Sequence, residues 1–239
     1  MTIPQRFDFI AFDADDTLWH NENHFSFTQD RLIELLTPYH DPQWIKERLY
    51  KVEMRNMEYF GYGVKAFGLS MIETAVELTE GRITGAEIKL IIDYCKEMLD
   101  HPIDLLPNVG DVIHDLHHQY RLMLITKGDL LDQENKIARS GLADFFTHVD
   151  IVSNKTAAVY GDLFARYKID PGRVLMIGNS VKSDVLPVIE IGGRAVHIPY
   201  HTTWEHEHID MSHIDDKPYY ELGDIAQLPE LLEKLHQRP

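Results

Sequence analysis

Phe9-Ile-Ala-Phe-Asp13-Ala-Asp15-Asp16-Thr17-Leu18 carries an apolar run straight into two carboxylates spaced two positions apart, with a hydroxyl two positions further on. The run from Phe7 to Phe12 is aromatic and aliphatic and too short for a helix, so it predicts a buried strand. A parallel strand that ends in carboxylates delivers them to the C-terminal rim of a sheet, where open α/β folds place their ligands. Acids this close repel one another and stay ionised only beside a cation or hydrogen-bond donors. The competing reading is a solvated turn, since Asp is also a common turn residue.

Further apolar runs downstream end in polar groups. Leu122-Met-Leu-Ile125 runs into Thr126, followed by Lys127-Gly128-Asp129. Ser153-Asn154-Lys155-Thr156 supplies a lysine, and Val174-Leu-Met-Ile177-Gly178 runs into Asn179-Ser180-Val181-Lys182-Ser183-Asp184. Taken in order, these segments resemble the four motifs of the haloacid dehalogenase superfamily, whose first is Asp-x-Asp-x-Thr after a hydrophobic strand. The resemblance implies a doubly wound, Rossmann-like α/β core of parallel strands and magnesium-dependent phosphate-ester hydrolysis.

It also implies roles. Asp13 would be the nucleophile that forms an aspartyl-phosphate, a carboxylate role that splits one hard step into two. Asp15 would protonate the leaving alcohol and then take a proton from water. Thr126, Lys127 and Lys155 would bind the phosphate, with Lys155 also holding the nucleophile ionised. Mg2+ would be held by Asp13, a backbone carbonyl at Asp15, Asp184 and the amide oxygen of Asn179. Asn179 stands where relatives more often have Asp, Lys127 where many have Asn, and Thr156 where many have Pro. Relatives that displace halide from carbon lack an acid at the place of Asp15, so phosphate esters are favoured. The opening Phe-Asp-Ala-Asp-Asp-Thr-Leu looks most like members acting on nucleoside monophosphates, and sugar phosphates remain open. A phosphomutase using the same aspartate pair is an alternative, as is a catalytically weak binding or regulatory module.

Composition agrees with a globular chain. It has 239 residues, 44% of them hydrophobic and 26% charged, enough for a sizeable core. A formal net charge of −16 disfavours nucleic acid and anionic membranes as partners. The small phosphorylated metabolite that the resemblance implies must reach a locally positive site built from magnesium, Lys127, Lys155 and cap residues. The single cysteine, Cys95, reads as a core thiol in a reducing compartment. Met1 to Phe7 lacks the apolar stretch of a signal peptide, and no run reaches membrane-spanning length, so a cytoplasmic location is expected. Nothing in the sequence assigns an oligomeric state.

Between Leu18 and Arg121 the periodicity is helical. Asp41-Pro42 offers an N-cap with proline at the first helical position, and Thr84-Gly-Ala-Glu87 is a capping box. Ser70-Met-Ile-Glu73 predicts another helix start, and Ile88, Ile92, Cys95 and Leu99 share one predicted helix face. This span is too long for one crossover. It predicts an inserted helical domain at residues 20–103, with residues 1–19 and 104–239 forming the core; in the resembling family such an insertion is a cap over the active site. Arg194 to Pro199 reads as a late strand and Ile225 to His236 as a closing helix.

Other features invite two readings each. Arg55, Tyr59, Tyr62 and Lys65 flank Phe60-Gly61-Tyr62-Gly63, either as recognition groups for a leaving group or as solvated residues at a helix break. Trp19 and His20 line the mouth of the site or pack a hinge. His201, His206, His208 and His213, with Trp204, Glu205 and Glu207, fit no tetrahedral zinc spacing and read as a solvated loop. His114, His117 and His118 read as a solvated helix edge.

Overall fold

Phe9, Ile10, Ala11 and Phe12 form the strand at the switch point of the sheet. The structure, a computed structural model, describes residues 6–202, 204, 207 and 219–236. Among these the strands are β1 (Phe9–Phe12), β2 (Arg121–Lys127), β3 (Phe146–Val152), β4 (Val174–Gly178), β5 (Arg194–His197) and β6 (Tyr219–Glu221). They make one sheet in the order β3-β2-β1-β4-β5-β6, parallel at every pairing. Phe9 is level with Arg121 on one side and with Val174 on the other.

Alternation decides what each side chain of the central strands buries. Ile10, Phe12, Leu122, Leu124, Leu175 and Ile177 enter one apolar cluster. Phe9, Ala11, Met123, Ile125, Val174 and Met176 enter the other, on the opposite face. Both faces are therefore covered, as a parallel sheet requires. Helices α5 (Val109–His117) and α9 (Leu228–His236) supply Val109, Ile113, Leu228 and Leu232 to the first cluster. Helix α7 (Ala157–Tyr167) and the short α8 (Leu186–Glu190) cover the second with Tyr160, Phe164 and Val188. One further helix, α6 (Leu130–Arg139), follows β2. The doubly wound α/β core expected from the sequence is observed.

The chain divides into two compact units. One comprises Met1–Glu22, Ile103–Lys127 and Lys136–Pro239; the other comprises Asn23–Pro102 and Gly128–Asn135. The second unit is largely helical, with α1 (Glu22–Leu36), α2 (Pro42–Phe60), α3 (Val64–Leu78) and α4 (Gly85–Asp100). Its core joins Leu32, Leu36, Ile45, Leu49, Phe67, Met71, Ala75 and Ile91. Asp41 caps α2 by accepting from Trp44 N, and the Thr84–Glu87 capping box opens α4. Gly61 and Gly63, at φ 69° and 103°, break the chain between α2 and α3.

Two expectations are corrected here. Ser70 starts no helix; it lies inside α3, buried, and its hydroxyl donates to Ala66 O at 3.0 Å. A Ser-x-x-Glu pattern resembles a capping box, yet mid-helix the same hydroxyl turns back onto the preceding turn. In α4 the buried face centres on Ile91 and Tyr94, while Ile92 is 38% exposed, so the predicted face is rotated by one residue. Cys95 is half-buried against this core, and burial raises its thiol to about 11. No helix among the described residues is long and apolar enough to cross a membrane.

Glu53, on α2, is pushed up to about 8 by burial alone. Between the ordinary glutamate pKa and about 8 the folded chain holds more proton than the unfolded one, so this carboxyl costs stability as pH rises through that window. Glu53→Gln should therefore raise the melting temperature by at least about 2 °C above pH 8, with the gain fading as pH falls toward 5. Thermal melts of both proteins across that range check it; a pH-independent difference would contradict it.

Candidate active site

The carboxyl ends of β1, β2 and β4 lie where the strand order reverses, and the polar residues of the motifs stand there. Asp13 follows β1 directly, its N–H donating to Ile177 O at 2.9 Å. Thr126 is the penultimate residue of β2 and is buried. Lys155 precedes α7, whose N-cap is Thr156. Asn179 follows β4, and Asp184 lies in the helical turn Val181–Val185.

Gly178 makes the approach of Asp184 feasible. A Cβ at Gly178 would stand 2.2 Å from Asp184 Oδ2, so any side chain there would expel the carboxylate. Ser180 N donates to that same oxygen at 3.0 Å.

Lys155, Asp13 and Asp184 form a buried triad, 4%, 6% and 1% exposed. The Lys155 ammonium donates to Asp13 Oδ1 and, at 2.7 Å, to Asp184 Oδ1. The other oxygen of Asp13 accepts from Thr17 Oγ1 at 2.8 Å, and the same hydroxyl lies 3.4 Å from Asn179 Oδ1. Burial raises the Asp13 carboxyl to about 6, with repulsion from Asp184 and Asp15 adding to it and Lys155 only partly offsetting it. Burial also opposes the charge on Lys155, yet the two carboxylates outweigh it and hold the lysine well above its usual range. The site is thus short of positive charge.

Asp15 is held from elsewhere. Trp19 Nε1 donates to its Oδ1 at 2.7 Å, and Lys136 Nζ stands 3.1 and 3.2 Å from its two oxygens. Neighbouring Asp16 takes φ 60°, and its carboxylate accepts from the backbone N–H groups of Asn21 and Glu22 at 2.9 and 3.1 Å. Burial, reinforced by the charge of Asp15, lifts Asp16 to about 7.

Lys127 donates to Ser183 Oγ at 2.9 Å and pairs with Glu207. Glu207 also accepts from Ser180 Oγ and, at 2.7 Å, from Ser183 Oγ. Burial pushes this carboxylate up, but Lys127 and the hydroxyls outweigh it and hold it at about 2. In the sequence Glu207 reads as part of a solvated loop and Lys136 belongs to no motif; neither spacing nor periodicity ties them to the site.

The expected recognition residues lie in the helical unit. Arg55 pairs with Glu73 and Glu77 at 2.8 and 3.0 Å, Tyr59 is exposed, Tyr62 lies between α2 and α3, and Lys65 pairs with Asp129 at 2.9 Å. Trp19 is fully buried, and His20 Nδ1 lies 2.6 Å from Tyr200 OH. His201 packs on Tyr200; Glu205, His206, His208 and His213 lie outside the described residues. His114, His117 and His118 cluster at the edge of α5.

Among the described residues no three His, Cys, Asp or Glu side chains form a group that could hold a metal. The oxygens of Asp13, Asp184 and Asn179, with a backbone carbonyl, nevertheless make the mixed carboxylate, amide and carbonyl set that a hard divalent cation accepts. The raised Asp13 carboxyl fits such a cation electrostatically.

Lys155→Met should cost about 3–5 kcal/mol near neutral pH, because it leaves two buried carboxylates without their shared cation. The deficit should shrink as pH falls toward about 6 and level off below it, because without Lys155 the Asp13 carboxyl takes up its proton at a higher pH than in the wild type. Denaturant unfolding at several pH values measures this; a deficit independent of pH would contradict it.

A model of the haloacid dehalogenase-like hydrolase family matches residues 7–192. The glyceraldehyde 3-phosphate phosphatase of Methanothermobacter thermautotrophicus is 28% identical over 134 residues, 53% of this chain and 58% of that protein. The alignment to the Pyrococcus furiosus protein of the same name spans 48% of its length, so the chain matches about half of these two relatives. The pyrimidine 5'-nucleotidase YjjG of Escherichia coli is 22% identical over 95% of this chain and 98% of its own. Among solved structures, a haloacid dehalogenase-like family hydrolase from Xanthomonas campestris superposes with a TM-score of 0.87 at 36% identity, covering 98% of this chain and 93% of that one.

Proposed function

The chain belongs to the haloacid dehalogenase-like hydrolases, and on that premise we propose that it is a magnesium-dependent phosphatase acting on a small phosphate monoester. The observation that carries this is the pair of acids at the end of β1, one in the buried Lys155 triad and the other held apart by Trp19 and Lys136. Two carboxylates in such different surroundings suit two different roles.

An Asp13 oxygen attacks phosphorus, forming a bond to the phosphoryl group as the ester P–O bond breaks. The electron pair leaves with the alcohol oxygen, which takes its proton from Asp15. Water then attacks the same phosphorus, Asp15 accepts its proton, and inorganic phosphate departs with Asp13 restored. Lys155 favours the ionised nucleophile, and Thr126 donates to phosphate oxygens. Mg2+, held by Asp13, Asp184, Asn179 and the Asp15 carbonyl, would neutralise charge on the phosphate and on the two carboxylates.

Substrate choice we assign to the helical unit, with Arg55, Tyr59, Tyr62 and Lys65 as candidates. The names of the relatives, a triose-phosphate phosphatase and a nucleotidase, support a small phosphorylated metabolite.

Phosphate release from para-nitrophenyl phosphate with magnesium tests the reading. Asp13→Asn should lower kcat by roughly a thousandfold or more, and chelation should abolish release. Equal release from this variant would overturn the nucleophile assignment. Asn179→Asp adds a carboxylate, so it should lower the magnesium concentration for half-maximal activity by several-fold; an unchanged requirement would remove Asn179 from the metal set.

A further inference from the structure

Asp15 sits on a loop, and a single-bond rotation would swing its carboxyl away from any leaving oxygen. A group that delivers a proton must lie within hydrogen-bond reach of the atom that receives it. Displacement by about 1 Å can cost on the order of a hundredfold in rate. What fixes the Asp15 carboxyl is therefore part of the catalytic design.

Two donors fix it. Trp19 is fully buried, and its backbone is clamped: Asp16 N donates to Trp19 O at 2.8 Å, and Trp19 bridges to Leu105. Its indole N–H is thus aimed by the fold at Asp15 Oδ1. Lys136 enters from α6, beside Ile137, which is buried in the first apolar cluster. Its ammonium stands within 3.2 Å of both Asp15 oxygens and 2.7 Å from Asn21 Oδ1. An ammonium carries three N–H donors, and these three oxygens lie among the groups it reaches. The lysine thereby ties the carboxyl to the segment from which α1 begins. Both side chains of the pair are largely shielded, 14% and 20% exposed, so solvent screens it less than a surface pair.

We infer that Lys136 is a positioning residue for the Asp15 carboxyl, setting with Trp19 the geometry in which the leaving oxygen is protonated. The inference rests on the phosphatase reading and adds to it a residue outside the four motifs. It makes a demand that a merely structural ion pair does not. Loss of positioning matters most where the leaving group is a poor one, because a stable phenolate departs without help.

The test compares kcat/KM, which reports steps through the first irreversible departure, for phenyl and para-nitrophenyl phosphate. These esters have nearly the same shape and differ in leaving-group basicity. Lys136→Met should reduce kcat/KM for phenyl phosphate at least about tenfold more than for para-nitrophenyl phosphate. Asp15→Asn should show the same split, and the double variant should be no worse than Asp15→Asn alone. Lys136→Arg should restore part of the phenyl phosphate activity. Lys136→Gln serves as a second variant should the methionine protein fail to fold, judged by its thermal melt. An equal fall for both esters, or losses that multiply in the double variant, would overturn the inference while wild type stays active and Asp13→Asn stays dead. A wild type that releases phosphate from neither ester would sink the phosphatase reading and this inference with it.

Discussion

One ammonium between two buried carboxylates, Lys155 between Asp13 and Asp184, is the interaction on which the rest of the core depends. Removing three charges from water is expensive, and only their mutual attraction with well-placed donors repays it. The structure supplies those donors locally: Thr17 and Lys155 for Asp13, the Ser180 N–H and Lys155 for Asp184. Burial still lifts Asp13 to about 6, with repulsion from Asp184 adding to it, because Lys155 offsets these only in part. On the proposed reading, Mg2+ would add the positive charge that such a site lacks.

Around that triad the fold arranges contrast. Asp13 and Asp15 are separated by one residue, yet their partners come from different places. The first is held by Lys155, which precedes α7, and by Thr17, the second by an indole on its own loop and a lysine of α6. Asp16, between these and α1, uses a left-handed backbone and caps the following N–H groups. The two proposed catalytic roles, nucleophile and proton carrier, and a helix cap are thus packed into the turn after one short strand.

Much of this was legible in sequence because strands announce their ends. An apolar run that stops at Asp13, Thr126 or Asn179 marks a rim position, and parallel order brings those rims together. Helical detail was less legible. The Ser70 to Glu73 pattern imitates a cap although the serine bonds backward to Ala66, and the buried face of α4 turned on Ile91 because a run of adjacent apolar residues leaves the phase open. Lys136 and Glu207 were not legible as partners of the site, and Trp19 was legible only as lining its mouth or packing a hinge, not as a donor to Asp15. Their importance lies in which oxygen they reach, and that depends on helix phase and loop path across more than a hundred residues for Lys136.

The register of β1 carries a consequence for how the molecule is made. Phe9 pairs with Arg121 and with Val174, so both neighbours of this strand come from far along the chain. Closing such loops costs entropy before any pairing returns it. The helices between β1 and β2 have their own apolar core, and forming it early would shorten the effective loop that β1 must close. In a nascent chain the first strand emerges long before either partner exists. Its four apolar residues must then wait, exposed, for the strands that will shelter them. The same segment that places Asp13 and Asp15 is therefore a liability of the chain during synthesis, and a point at which a chaperone would have something to protect.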